Sequence, residues 1–160
     1  MNNKQKGPRA NSQIWHEIII NASPGDLYQA LTDVKKLAHW WTTDTWGKSE
    51  TGKNMEFCFE AFCQEMQVTN LKANQLVRWQ ATEKGLPDCA GTEIEFKIFR
   101  EENQTFLHLR HSGWRDNAKM FPHCSMGWAV FLLSLKEFVE TGKGRPYPYD
   151  WPGNNWRPPQ

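Results

Sequence analysis

Between residues 14 and 20 the chain reads IWHEIII, a β-branched, apolar run that predicts a strand. Ser23-Pro24-Gly25-Asp26 follows and reads as a helix start. A serine there caps the free amides, proline suits the first helical position, and the acid favours the positive helix end. A short helix is expected through Leu27, Tyr28, Ala30 and Leu31, and a second from near Asp33 to His39-Trp40-Trp41. From Thr42 to Ser112 the period shortens to two. Met55, Phe57 and Phe59 alternate with Glu56 and Cys58, and Met66 and Val68 with Glu65, Gln67 and Thr69. The alternation continues at Val77, Trp79 and Ala81, at Ile94, Phe96 and Ile98, and at Leu107, Leu109 and His111. Short polar connections separate most of these runs, so they predict an antiparallel meander with one face on a core and one in water.

The last periodic segment spans about residues 122–141. At steps of about 100° per residue it places Cys124, Trp128, Phe131, Leu132, Leu135, Phe138 and Val139 on one helical face. Gly142 follows, where a glycine C-terminal cap is expected. Met126, Val130 and Leu133 form a weaker stripe on the opposite side that needs a cover. Residues 145–160, RPYPYDWPGNNWRPPQ, hold five of the nine prolines and cannot make helix or central strand. Four large rings (Tyr147, Tyr149, Trp151 and Trp156) suggest that this tail packs on the domain, over the second stripe. A free proline-rich partner motif is the rival reading.

At 160 residues the chain is expected to form a single domain over residues 14–145, between a polar tail of residues 1–13 and the tail of residues 146–160. Nineteen basic and eighteen acidic side chains leave a formal charge of +1, which gives no electrostatic reason to expect a nucleic-acid partner. No run nears the roughly 18 apolar residues of a membrane helix, and no apolar segment follows the basic start to make a secretory signal. A reducing cytoplasm is the expected location. Nine Trp and nine Phe make the apolar material bulky and ring-shaped.

Cys58, Cys63, Cys89 and Cys124 are too few and too irregular for a disulfide framework, and only Cys58 and Cys63 have a loose metal-knuckle spacing. They are expected as small thiols, with no metal and no cofactor. No nucleophile elbow or glycine-rich phosphate loop is present. His16 and His111 suit an acid–base pair if the strands bring them together, but no carboxylate clearly points inward to complete it. A wall of Phe57, Phe59, Trp79, Phe96, Leu107 and Leu109 facing the long helix remains. Gly127 sits inside that helix beside Trp128, where glycine costs about 1 kcal/mol against alanine. It fits close helix–sheet packing and room for a ligand equally well.

The order of strand, two short helices, meander and long helix comes together with Ala22-Ser23-Pro24, Trp40-Trp41, LRHSGW (residues 109–114), Gly127-Trp128 and FLLSLK (residues 131–136). In this ordered set the chain resembles START-related helix-grip domains, the birch-pollen-allergen superfamily. Within them it resembles the branch named after the activator of the heat-shock-protein-90 ATPase, over about residues 14–145. The resemblance implies an α+β helix-grip fold, a curved antiparallel sheet wrapped around the C-terminal helix, with a cavity between them that opens near Trp40-Trp41 and residues 112–121. It also implies that Trp41, Phe57, Trp79, Phe96, His111, Trp114 and Trp128 line or rim that cavity, and the sheet alternation, the helical glycine and the helical stripe add Phe59, Gly127 and Phe131 as expected ligand-binding residues. The function expected is binding or carrying of a small hydrophobic, aromatic molecule, with His111 giving one orienting hydrogen bond. The alternatives are a cyclase or hydrolase using His16 and His111, and a co-chaperone-like protein-interaction module. Both monomer and homodimer, the latter through the Met126/Val130/Leu133 stripe, stay open.

Overall fold

A computed structural model of the chain describes residues 8, 9 and 11–151. Strand β1 (Ile14–Ile20) leads into helices α1 (Pro24–Thr32) and α2 (Val34–Leu37). Strands β2 (Asp44–Gly47), β3 (Asn54–Phe59), β4 (Phe62–Lys72), β5 (Leu76–Ala81), β6 (Glu93–Glu101) and β7 (Gln104–Ser112) follow, then helix α3 (Phe121–Thr141). The caps are those the sequence predicts. Ser23 Oγ accepts from the Asp26 amide at 3.0 Å, and the Asp33 carboxylate accepts from the Lys35 amide at 2.8 Å. Gly142 ends α3 at φ 85°, a left-handed conformation that glycine adopts without penalty.

The strands form one seven-stranded antiparallel sheet in the order β1-β7-β6-β5-β4-β3-β2. A register shift between Val68 and Asn70 adds local twist to the long β4. The inward phase of every long strand (Phe57, Val68, Trp79, Phe96, Leu107, Leu109) is buried in one core with Trp128, Phe131, Leu132 and Leu135 of α3. This is the α+β helix-grip architecture. Among the described residues no helix is long and apolar enough to cross a membrane.

The local structure departs from the sequence reading in four places, the first being α2, which ends at Leu37 and does not reach His39-Trp40-Trp41. Strand β2 is not marked by any alternation, because it is a four-residue edge strand with Trp46 66% exposed. Cys58 and Cys63 form a disulfide, not two thiols. The β3–β4 turn is as tight as a hairpin allows, with Phe59 opposite Phe62, so the two cysteines face each other directly across the strands. Finally, the described part of the chain after α3, residues 142–151, does not cover Met126 and Leu133, which are 61% and 53% exposed among the described residues. Residues 145–147 run back to the end of α2 instead, where the Tyr147 amide donates to the Trp41 carbonyl at 2.8 Å and the Thr43 amide to the Tyr147 carbonyl at 3.1 Å. Tyr149 and Trp151 are exposed; Trp156 and most of the N-terminal tail lie outside the described residues.

Candidate functional site

Trp40 and Trp41 are neighbours with divided roles. Trp40 is fully buried, its indole N–H donating to the Ala30 carbonyl at 2.8 Å and its own carbonyl accepting from Ser134 Oγ at 2.8 Å. It ties α1 to α3. Trp41 then swings its ring between the sheet and α3, 4.1 Å from Phe57, 5.8 Å from Trp79 and 5.0 Å from Trp128, centroid to centroid. Trp128 in turn meets Phe96 edge-on at 5.8 Å. The two indoles fill the middle of the space between the layers.

The open space is displaced toward one end, under the β3–β4 hairpin and the first half of α3. It is a cavity of about 130 Å³. Its walls are apolar in the main: Trp41, Phe59, Phe62 and Met66 on the sheet side, Leu86 and Cys89 below, and Gly127, Trp128 and Phe131 on α3. Glu60, His123, Tyr147 and Asp150 bring polar atoms to it. A Cβ built on Gly127 meets nothing within 4 Å, so here the helical glycine borders open space and not a packed neighbour.

Six of the ten expected residues therefore meet at the cavity: Trp41, Phe59, His111, Gly127, Trp128 and Phe131. Phe57, Trp79, Phe96 and Trp114 do not. The first three are wholly buried behind Trp41 and Trp128, and Trp114 is held at 2% exposure by packing its ring at a tilt against His111, centroids 4.4 Å apart, and donating to the His111 carbonyl. Periodicity identifies which rings point inward, but not which of them another ring covers.

His111 lies in the wall, and both of its ring nitrogens are engaged. Trp128 Nε1–H donates to Nδ1 at 3.0 Å, and Nε2 bonds Thr92 Oγ1 at 2.8 Å. Thr92 Oγ1–H donates onward to the Cys89 carbonyl at 2.6 Å. The orienting hydrogen bond to a ligand expected of His111 is thus already spent inside the protein. Burial pushes this imidazole down to about 3. His16 is not brought to it. Its Nε2–H donates to the Ser125 carbonyl at 3.0 Å, and among the described residues no carboxylate or tyrosine hydrogen-bonds either histidine.

The floor is fixed by Asp88. Its carboxylate accepts from the Met120 amide at 3.0 Å and pairs with Arg115, which pins residues 115–120 beside the segment Pro87–Cys89. Burial raises the Asp88 carboxyl, but the Met120 and Arg115 bonds outweigh it and hold the group below its ordinary value. Cys124 hydrogen-bonds Cys89 in the wall, and that bond together with burial pushes the Cys124 thiol up. Sequence reasoning did not identify Phe62, Leu86, Cys89, Cys124 and Tyr147 as wall residues. Phe62, Leu86, Cys89 and Tyr147 come from the end of a hairpin, a loop and the tail, where no periodicity marks a face, whereas Cys124 lies on the inward stripe of α3 and only its contact with the cavity was missed.

The family model described as activator of Hsp90 ATPase homolog 1-like protein matches residues 21–140. The solution structure of an Aha1 dimer from Colwellia psychrerythraea is 42% identical, with a TM-score of 0.76, over 83% of this chain and 99% of that one. MLL2253 from Mesorhizobium loti (19% identity, TM-score 0.71, 80% and 96% covered) shares the fold. So does CalU16 from Micromonospora echinospora (17%, 0.68, 86% and 85%). A comparison with the curated proteins finds no match.

Proposed function

Because the chain belongs to the activator of Hsp90 ATPase homolog 1-like family, we propose that it uses the helix-grip cavity to bind or carry a small hydrophobic, aromatic molecule. The observation that carries this reading is the apolar cavity of about 130 Å³ with Gly127 open on its wall. An engineered apolar cavity of about 150 Å³ takes a benzene ring, so the inner part accepts one ring and a larger ligand extends past Tyr147. Burying about 300 Å² of apolar ligand surface gives roughly 7 kcal/mol gross, less the cost of association.

Affinity in this reading comes from the ring walls of Trp41, Phe59, Trp128 and Phe131. His111 contributes rigidity rather than recognition. Titration with 3-methylindole and naphthalene, followed by calorimetry, is expected to give saturable one-site binding that Gly127→Leu abolishes. Absence of saturable binding for both probes, with no small molecule retained in native mass spectra of the purified protein, overturns the reading.

A second reading has one specific support. The relative from Colwellia psychrerythraea, at 42% identity, is described as a dimer, and two copies of this chain associate in the same manner of one-to-one pairing.

A further inference from the structure

The solvent side of the sheet at the β1 end is not a polar face. In the register of β1, β7 and β6, Ile19, Phe106 and Phe99 lie in one cross-strand row, Glu17, His108 and Lys97 in the next, and Trp15, Arg110 and Glu95 in the third. Trp15 is 57% and Ile19 40% exposed. Phe99 and Phe106 stack at 5.2 Å, His108 meets Phe99 edge-on at 4.9 Å and Trp15 at 5.8 Å, and the Arg110 guanidinium lies 4.4 Å over the Trp15 ring. The surface is ordered, aromatic and unpartnered by any described element. On a one-sided antiparallel sheet these positions are ordinarily polar.

From the charges in these rows we infer that this face is where a second copy of the chain docks, sheet against sheet, about a two-fold axis running along β7. The inference rests on the two-copy reading above and adds the surface. A two-fold along β7 exchanges β1 with β6 and leaves each row opposite itself. Glu17, whose carboxylate is bonded to His108 Nε2 of its own copy at 2.5 Å, then also faces Lys97 of the second copy, and Lys97 faces its Glu17, so the middle row closes two opposite-charge pairs around His108. In the apolar row Ile19 meets Phe99 of the second copy twice and Phe106 meets Phe106. In the third row Trp15 faces the carboxylate of Glu95, whose partner Arg78 lies 2.5 Å from it, and Arg110 meets Arg110 across the axis, each guanidinium held over the Trp15 ring and beside the Glu95 of its own row. The other in-plane two-fold, across the strands, sets Glu17 on Glu17 and Lys97 on Lys97. Two Glu17–Lys97 pairs against one Arg110–Arg110 contact favour the axis along β7 over the other, which has no opposite-charge pair. The roughly 30° rotation usual between packed sheets keeps the rows opposed near the axis. The outer face of α3 does not compete, because Val130 is buried and interrupts the ridge between Met126 and Leu133.

Sedimentation equilibrium over a concentration series tests this on the full chain. The wild type is expected to be dimeric, and Phe106→Glu monomeric with an unchanged far-ultraviolet spectrum. Glu17→Lys and Lys97→Glu should each weaken self-association roughly tenfold or more. An equimolar mixture of these two variants should regain wild-type association, since the heterodimer restores both pairs. That recovery is not available to residues that act only within one copy, because Glu17 and Lys97 are two strands apart. A monomeric wild type overturns the two-copy reading and the interface together. A dimer that survives Phe106→Glu, or dissociates with Met126→Glu and Leu133→Glu instead, overturns the interface alone, as does a mixture that fails to recover.

Discussion

The indole N–H of Trp128 donates to Nδ1 of His111 at 3.0 Å, and this contact fixes the protonation state of the histidine. Nδ1 must carry a lone pair to accept, so the proton is on Nε2, where it is donated to Thr92 Oγ1, and Thr92 donates in turn to the Cys89 carbonyl. The chain of donors runs in one direction from α3 through β7 to the loop below the cavity, and every member is satisfied. Protonating His111 places an N–H against an N–H and a bare cation in the core.

Acid is therefore expected to destabilise the protein through His111. The imidazole is at about 3 when folded and at its ordinary value of 6.5 when unfolded. Its folded value is depressed, so between those limits only the unfolded chain takes up the proton. The associated stability is complete above pH 6.5 and is lost as the pH falls, at about 1.4 kcal/mol per pH unit from this group. Urea midpoints measured from pH 7.5 to 4.5 should fall in the wild type. His111→Gln should start lower at neutral pH and show a shallower decline over the same range. Equal slopes in the two proteins count against this origin.

Gly127 separates two effects that one substitution would confuse. Alanine adds a methyl into open space and removes the cost of a helical glycine, so Gly127→Ala should raise stability by about 1 kcal/mol and leave ring binding nearly intact. Gly127→Leu carries its side chain into the cavity and should lower the affinity for 3-methylindole more than tenfold while the thermal midpoint does not fall. Thermal melts and calorimetric titrations on the same three proteins check both statements. A leucine variant that binds as the wild type does places the ligand elsewhere.

Much of the fold was legible because a one-sided sheet forces alternation. Val77, Trp79 and Ala81 point inward and are buried, and Arg78 between them pairs outward with Glu93 and Glu95. The α3 stripe was legible for the same reason, apart from Val130, which was assigned to the outer side and is buried. Register was not legible at the β3–β4 hairpin. Its turn is Glu60-Ala61, without the Asn-Gly signal, and Glu60 itself takes the positive φ of 39° that such a turn demands. Without that register Cys58 and Cys63 are two cysteines at an uninformative spacing.

The site was legible as a set of inward rings but not as a cavity. Whether Phe57, Trp79 and Phe96 border open space depends on where the Trp41 and Trp128 rings lie, and rotamers leave no trace in a periodic pattern. The placement of Tyr147 depends on a pairing with Trp41 and Thr43 across about a hundred residues, which no local signal encodes. The outer aromatic face is visible as residues, since Phe106 falls on the phase opposite to Leu107 and Leu109, but its meaning needs the β1–β7–β6 register that brings Trp15, Ile19 and Phe99 beside it.

The Cys58–Cys63 bridge closes the base of the hairpin whose tip, residues 59–62, forms part of the cavity wall. Cys58→Ala/Cys63→Ala should cost about 2 kcal/mol at most, since the loop it closes is short. Its larger effect should fall on ligand affinity, through loosening of Phe59 and Phe62. Titration with naphthalene beside urea unfolding distinguishes the two. A loss of stability with unchanged affinity would mean that the hairpin tip holds its place without the bridge.

On the ligand-binding reading proposed above, Tyr147 governs entry and exit. Its backbone is bonded to Trp41 and Thr43, its ring packs on Phe59 at 5.4 Å, and its hydroxyl donates to Glu60 at 3.2 Å, so one residue joins the tail, the turn after α2 and the hairpin tip at the cavity. Tyr147→Ala keeps the two backbone bonds and removes the ring. The expected result is a faster release of 3-methylindole with a smaller change in the rate of association, since the inner walls at Trp128 and Phe131 are untouched. Tyr147→Phe keeps the ring and loses only the bond to Glu60, so it should lie close to the wild type. Stopped-flow measurements of tryptophan fluorescence give both rates. If the phenylalanine variant releases ligand as fast as the alanine one, the Glu60 bond rather than the ring holds the mouth.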